Sequence, residues 1–97
     1  MPTYVSLLNW TDLGVRNFKD TVDRYEAAQG LMGGSGVSFK DVYWTVGPYD
    51  IVSIVEGPDD ETATAALLSV AAQGNIRSTT MRAFTTDEMR SVIQKAG

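Results

Sequence analysis

The hydrophobic positions of this chain change period several times, and each change marks an element. From Thr3 to Trp10 the run TYVSLLNW is β-branched and aromatic, with no helix breaker, which predicts a first strand. Thr11-Asp12 then supplies an N-cap. Behind it Val15, Phe18, Val22 and Tyr25 recur at steps of three and four, with Arg16, Lys19, Asp20, Asp23 and Arg24 between them. That spacing predicts one amphipathic helix with a core-facing stripe, ending near Met32 where Gly33-Gly34-Ser35-Gly36 cannot sustain it.

Val37 to Val46 (VSFKDVYWTV) reads as a second strand and Tyr49 to Glu56 (YDIVSIVE) as a third. Gly47-Pro48 between them predicts a two-residue type II′ hairpin, glycine taking the positive φ and proline the negative one. Gly57-Pro58 stops the third strand, and Asp59 or Asp60 caps a second helix whose Ala63, Ala66, Leu67 and Val70 fall at helical spacing. Gly74 is its stop. Asn75 to Phe84 follows as a fourth strand, and Thr85-x-x-Glu88 has the form of a capping box before a short helix carrying Met89, Val92 and Ile93. The order is β-α-β-β-α-β plus a terminal helix. The expected fold class is therefore α+β, a ferredoxin-like antiparallel sheet with both main helices on one face, forming one domain over residues 1–97.

Such a topology leaves one sheet face bare. Strand residues alternate between faces, and a solvated face should be polar. Here both alternatives on the first three strands retain large apolar or aromatic side chains: Tyr4, Leu8 and Trp10 or Val5 and Leu7, Val42, Trp44 and Val46 or Tyr43, and Ile51 and Val55 or Val52 and Ile54. The terminal helix is too short to cover four strands. Sheets packed face to face in a homodimer or larger homo-oligomer are the expected solution.

Composition narrows the chemistry. The net charge is −4, and the eight Lys and Arg residues are scattered, so nucleic acid is not an expected partner. Histidine and cysteine are absent, which removes thiol nucleophiles, disulfides and Cys/His metal sites. No metal and no cofactor is expected. No run is long enough to span a membrane and no secretory signal is visible, so the default location is cytoplasmic.

With the topology in place, Gly47-Pro48-Tyr49-Asp50 becomes recognisable. The chain resembles the GYD-domain family, small proteins with a Gly-x-Tyr-Asp signature. The likeness includes the Tyr4–Trp10 strand followed by Thr11-Asp12-x-Gly14, the Tyr43-Trp44 pair, the Pro58-Asp59-Asp60 helix start and Thr80-Met81-Arg82-Ala83-Phe84. It is more distantly similar to the dimeric α/β-barrel group, including effector domains of leucine-responsive regulators, though it has no room for their helix-turn-helix. The resemblance implies a dimeric α/β barrel and small metabolites bound at subunit boundaries. It implies little about activity.

Several side chains invite a functional reading beside a structural one. Asp50 either accepts hydrogen bonds from turn amides or pairs with a neighbouring subunit, or else acts as a ligand-binding or general-base carboxylate. Tyr49 either fills a seam or offers its hydroxyl. Trp10, Tyr43 and Trp44 form packing or the aromatic wall of a pocket. Arg77 and Arg82 call for an acidic partner, internal or from an anionic ligand. Tyr4, Ser6, Asn9, Tyr43 and Thr45 are uncharged polar groups that would orient a ligand, and the candidate ligand-binding set is Tyr4, Asn9, Trp10, Tyr43, Trp44, Tyr49, Asp50 and Arg82. Asp59-Asp60-Glu61 reads as a helix start and not as a cation site. The expected function is a homo-oligomeric domain binding a small molecule between sheets or subunits, as a sensor or carrier. The alternatives are a metal-free, cofactor-independent enzyme (an oxygenase, isomerase or cyclase) using the same cavity, and a purely structural subunit.

Overall fold

In the computed structural model, which describes residues 1–97, the chain runs through β1 (Thr3–Trp10), α1 (Asp12–Arg16), a 3-10 turn (Phe18–Asp20), α2 (Thr21–Met32), a second 3-10 turn (Gly33–Ser35), β2 (Ser38–Trp44), β3 (Ile51–Glu56), α3 (Asp60–Ala71), β4 (Ile76–Ala83) and α4 (Thr86–Ala96). β1 is hydrogen-bonded along both edges, to β3 and to β4, and β2 completes the order β2-β3-β1-β4. Every pairing is antiparallel, as the ferredoxin-like reading requires. No helix is long and apolar enough to cross a membrane.

The register decides which side chains share a face. Tyr4 lies opposite Val55, Ser6 opposite Ser53 and Leu8 opposite Ile51. These residues meet α2 and α3, and the core cluster consists of Tyr4, Met32, Val37, Val55, Ala63, Ala66 and Leu67. The intervening Val5, Leu7, Val52 and Ile54 point the other way and are only half-buried. On β2 a bulge between Phe39 and Asp41 absorbs Lys40. The extra residue lets Phe39 and Trp44, at positions of opposite parity, both face the helices. Only 13 of 97 residues are buried, so a single copy has a thin core and wide apolar margins.

Two local expectations are corrected. The first helix is not continuous: Asn17 leaves helical geometry, and the 3-10 turn separates α1 from α2. Arg24 holds the bend, donating to the carbonyls of Asn17 at 2.6 Å and Gly14 at 3.2 Å. The change of phase rotates Val15, Phe18 and Val22 out of the core, and each is about half exposed. Tyr25, Ala28 and Met32 face the sheet instead. The hairpin is also longer than two residues. Its ladder closes where the Thr45 amide donates to the Asp50 carbonyl at 2.8 Å, leaving Val46 fully exposed at the tip. Gly47 still carries the positive φ, at 145°.

The caps follow the sequence closely. Asp59 accepts from the Thr62 amide at 2.7 Å and starts α3, while Thr85 and Glu88 form a reciprocal capping box for α4. α4 nevertheless buries none of its residues, and Met89, Val92 and Ile93 remain exposed.

Gly14 has a close-approach role. Thr11 donates from its amide to the Asn75 carbonyl at 3.1 Å and from its hydroxyl to the Gly74 carbonyl at 2.6 Å, seating α1 on the α3–β4 junction. A Cβ at Gly14 would lie 2.0 Å from the Asn75 oxygen. Gly14→Ala is therefore expected to cost about 1–3 kcal/mol by overpacking, read as a lower urea midpoint with an unchanged m-value.

Candidate functional site

Asp50 resolves into a strand-end device. Its amide donates to the Leu8 carbonyl at 2.9 Å, and its carboxylate Oδ2 accepts from the Trp10 amide at 2.9 Å. The β1–β3 register ends at Leu8 and Ile51, so the side chain supplies the acceptor that the next backbone carbonyl would have given. This is a structural use of the carboxylate, but across to another strand and not to amides of its own turn. Tyr49 contributes its backbone: its carbonyl accepts from the Thr45 hydroxyl at 2.6 Å. The Gly-x-Tyr-Asp stretch thus finishes two strand ladders at one corner of the sheet.

The opposite end of β1 carries a second polar cluster. The Tyr4 hydroxyl donates to Asp60 Oδ1 at 2.5 Å. Burial, that hydrogen bond and the Asp60 charge push the Tyr4 phenol up to about 12. Arg82 lies over the Tyr4 and Phe84 rings, 5.8 and 4.6 Å from their centroids, donates to the Thr3 carbonyl at 3.3 Å and approaches Glu88 at 3.8 Å. The amide of Thr85, donating to Glu88, holds that carboxyl below the ordinary range, and the Thr62 amide does the same for Asp59. Arg82 finds its acidic partner within the chain, on the surface; Arg77 is exposed and makes no ion pair.

Between α2, α3 and the centre of the sheet lies an apolar cavity of about 60 Å³. Leu8, Ile51 and Ser53 line it from the sheet, Tyr25 and Ala28 from α2, and Val70 from α3. Trp44 and Tyr25 meet edge to face at 5.9 Å, and the Trp44 indole donates to the Thr21 hydroxyl at 3.0 Å, closing β2 onto α2. Of the eight candidate side chains, Trp44 alone lines this cavity. Trp10, Tyr49 and Asp50 gather at the β3 corner, Tyr4 and Arg82 at the far end of β1, and Asn9 and Tyr43 belong to the bare sheet face. The eight do not converge on one site within a single copy. No three carboxylates gather as a metal site. Ser53, a lining residue, escaped sequence reasoning; the available signal was a serine with the parity of Ile51 and Val55 in an otherwise apolar strand.

The bare face lies on the other side of the sheet from the cavity. Val5, Leu7, Val52 and Ile54 form its centre, flanked by Met81 on β4 and Tyr43 on β2, which are 46% and 62% exposed.

Comparison with known proteins places these features in context. Residues 4–93 match the GYD domain family. A protein of Thermus thermophilus named glutamine synthetase and cystathionine beta-lyase binding protein is 34% identical over 85 residues, spanning 87% of this chain and 90% of that one. The crystal structure of TTHA0845 from the same organism superposes with a TM-score of 0.57 at 22% identity, covering 89% of this chain and 96% of the other, which supports the fold.

Two outcomes follow from the strand ends. Asp50→Ala strands the Trp10 amide and should cost about 1–2 kcal/mol, whereas Asp50→Asn keeps an acceptor and should cost about half as much or less, both by urea denaturation. Folding favours the protonated Tyr4, so the stability it adds is present below the ordinary phenol value of 10.0 and is lost as pH rises towards about 12. Tyr4→Phe should remove both that alkaline loss and the phenol ionising near pH 12 in an ultraviolet titration.

Proposed function

This chain belongs to the GYD domain family, and we propose that it is a homo-oligomeric binding domain, completed when two copies close their bare sheet faces into a dimeric α/β barrel. The supporting observation is the row from Tyr43 through Val52, Ile54, Val5 and Leu7 to Met81, which no helix covers. Sheets stacked face to face would bury both rows at once. In the same assembly α4 is an arm whose Met89, Val92 and Ile93 gain their cover from the second copy. The proposed setting is cytoplasmic.

The relative from Thermus is named for binding two enzymes, and a protein-binding role of that kind is our reading for this chain. On the helix layer, away from the bare face, Val15, Phe18 and Val22 are exposed and would remain so in a sheet-to-sheet dimer. We assign the protein partner to this surface.

A second reading, a small-molecule carrier, is favoured by the cavity under α2 and α3 with the unpartnered Ser53 hydroxyl on its wall. The metal-free enzyme alternative has less support, because the phenol–carboxylate contact between Tyr4 and Asp60 lies outside that cavity.

Tyr43→Glu combined with Met81→Glu places charge on side chains that a single copy already exposes. Sedimentation velocity should show wild-type oligomers and a double variant of single-chain mass with an unchanged far-ultraviolet spectrum; a wild-type monomer at micromolar concentration would refute the assembly. Phe18→Asp should keep the oligomer and weaken binding to the host's glutamine synthetase or cystathionine beta-lyase by about tenfold or more in surface plasmon resonance. Failure of the wild type to bind either enzyme would remove that protein-partner role while leaving the dimer standing.

A further inference from the structure

The ladders place three charged residues among the apolar ones of the bare sheet face. Glu56 lies opposite Thr3, Asp41 opposite Ile54, and Arg77 opposite Asn9. Glu56 is already neutralised by Lys40 at 3.6 Å. Asp41 and Arg77 are exposed, and neither makes an ion pair within the chain. They stand on the two edge strands, Asp41 on β2 and Arg77 on β4, with β3 and β1 between them. Each step between neighbouring strands is about 4.8 Å, so the two cannot meet in one copy. Arg77 is also four residues along β4 from Met81, which shares the row of Asp41, Ile54 and Val5.

Closing this face takes both edges out of water, and a charge buried without a partner is strongly unfavourable. Two copies related by a twofold axis can join their sheet edges in two ways. In one, β2 meets the second copy's β2 and β4 meets its β4. That brings Asp41 towards Asp41 and Arg77 towards Arg77. In the other, β2 of each copy meets β4 of its mate, and both seams bring opposite charges together. The carboxylate of Asp50 is no competitor for Arg77, since it accepts from the Trp10 amide. Asp41 is the acid on this face that is left to take it.

We propose that Arg77 of each copy pairs with Asp41 of the other across the β2–β4 seams, and that these two reciprocal ion pairs select how the sheets are arranged in the dimer. The pairing rests on the sheet-to-sheet dimer reading above and adds which edges meet and which residues recognise one another. Charge pairs of this kind decide register and partner choice more than bulk affinity, because the wrong juxtaposition is repulsive.

Charge reversal tests the pairing, with the dimer dissociation constant measured by analytical ultracentrifugation. Arg77→Asp alone, or Asp41→Arg alone, sets like charges at both seams and should weaken the dimer about tenfold or more, with an unchanged far-ultraviolet spectrum. The two reversals combined in one chain should return the constant to within about threefold of the wild type. An equimolar mixture of the two single variants should also recover dimers, because each mixed seam holds one aspartate and one arginine. A charge pair within one chain would not be rescued in that mixture. Arg77→Gln and Asp41→Asn remove a charge without adding repulsion; they should weaken the dimer by a smaller factor and cover the case of a reversal that does not fold. A wild-type dimer whose affinity is untouched by these substitutions, or single variants that stay apart when mixed, would overturn the pairing and leave the dimer standing. A wild type that is monomeric at micromolar concentration would overturn both.

Discussion

Two long helices cannot cover both faces of a four-stranded sheet, and that constraint shapes everything else in this protein. α2 and α3 lie on the face that carries Tyr4, Ser53 and Val55, and the core forms there. The opposite face keeps Val5, Leu7, Val52 and Ile54 half in water. Apolar area of that kind is favourable only when removed from water. α4 does not relieve it, since the helix leaves the end of β4 without burying a residue.

The central strand is held at both ends by side chains as well as by its ladders. At one end Asp50 accepts from the Trp10 amide; at the other Tyr4 donates to Asp60 beside Arg82. Each contact joins segments far apart in sequence, 40 and 56 residues respectively, so each fixes tertiary geometry more than local conformation. Within a single copy the Gly-x-Tyr-Asp signature is thus architectural. Gly47 supplies the positive φ, Tyr49 a carbonyl for Thr45, and Asp50 the last acceptor for β1. These three residues have structural roles that need no ligand.

The candidate binding residues illustrate how far residue chemistry reaches. Aromatic and polar side chains near strand ends suit a pocket wall in any order, but register sends alternate residues to opposite faces. Tyr43 and Trp44 are neighbours in sequence, yet one belongs to the bare face and the other lines the cavity. Ser53 drew no notice because a serine in a strand is ordinary; its isolation from every partner is a property of the packed structure.

The order of elements, the capping box at Thr85 and the Asp59 cap could be read from the chain, because they depend on contacts within a few residues or on hydrophobic period. The expectation of a bare apolar face came from the same source, since alternation is local. Other features belong to tertiary structure alone. Asn17 breaks the first helix where Arg24 ties the bend to backbone carbonyls, so a regular three-and-four spacing from Val15 to Tyr25 spans a change of phase. The hairpin opens to a longer loop because Asp50 is recruited by β1, a strand forty residues away. Gly14 needs its missing side chain only because Asn75 arrives against it. Local pattern fixes what each segment becomes; which segments meet, and therefore where a cavity or a close approach arises, depends on long-range packing that no window of sequence contains.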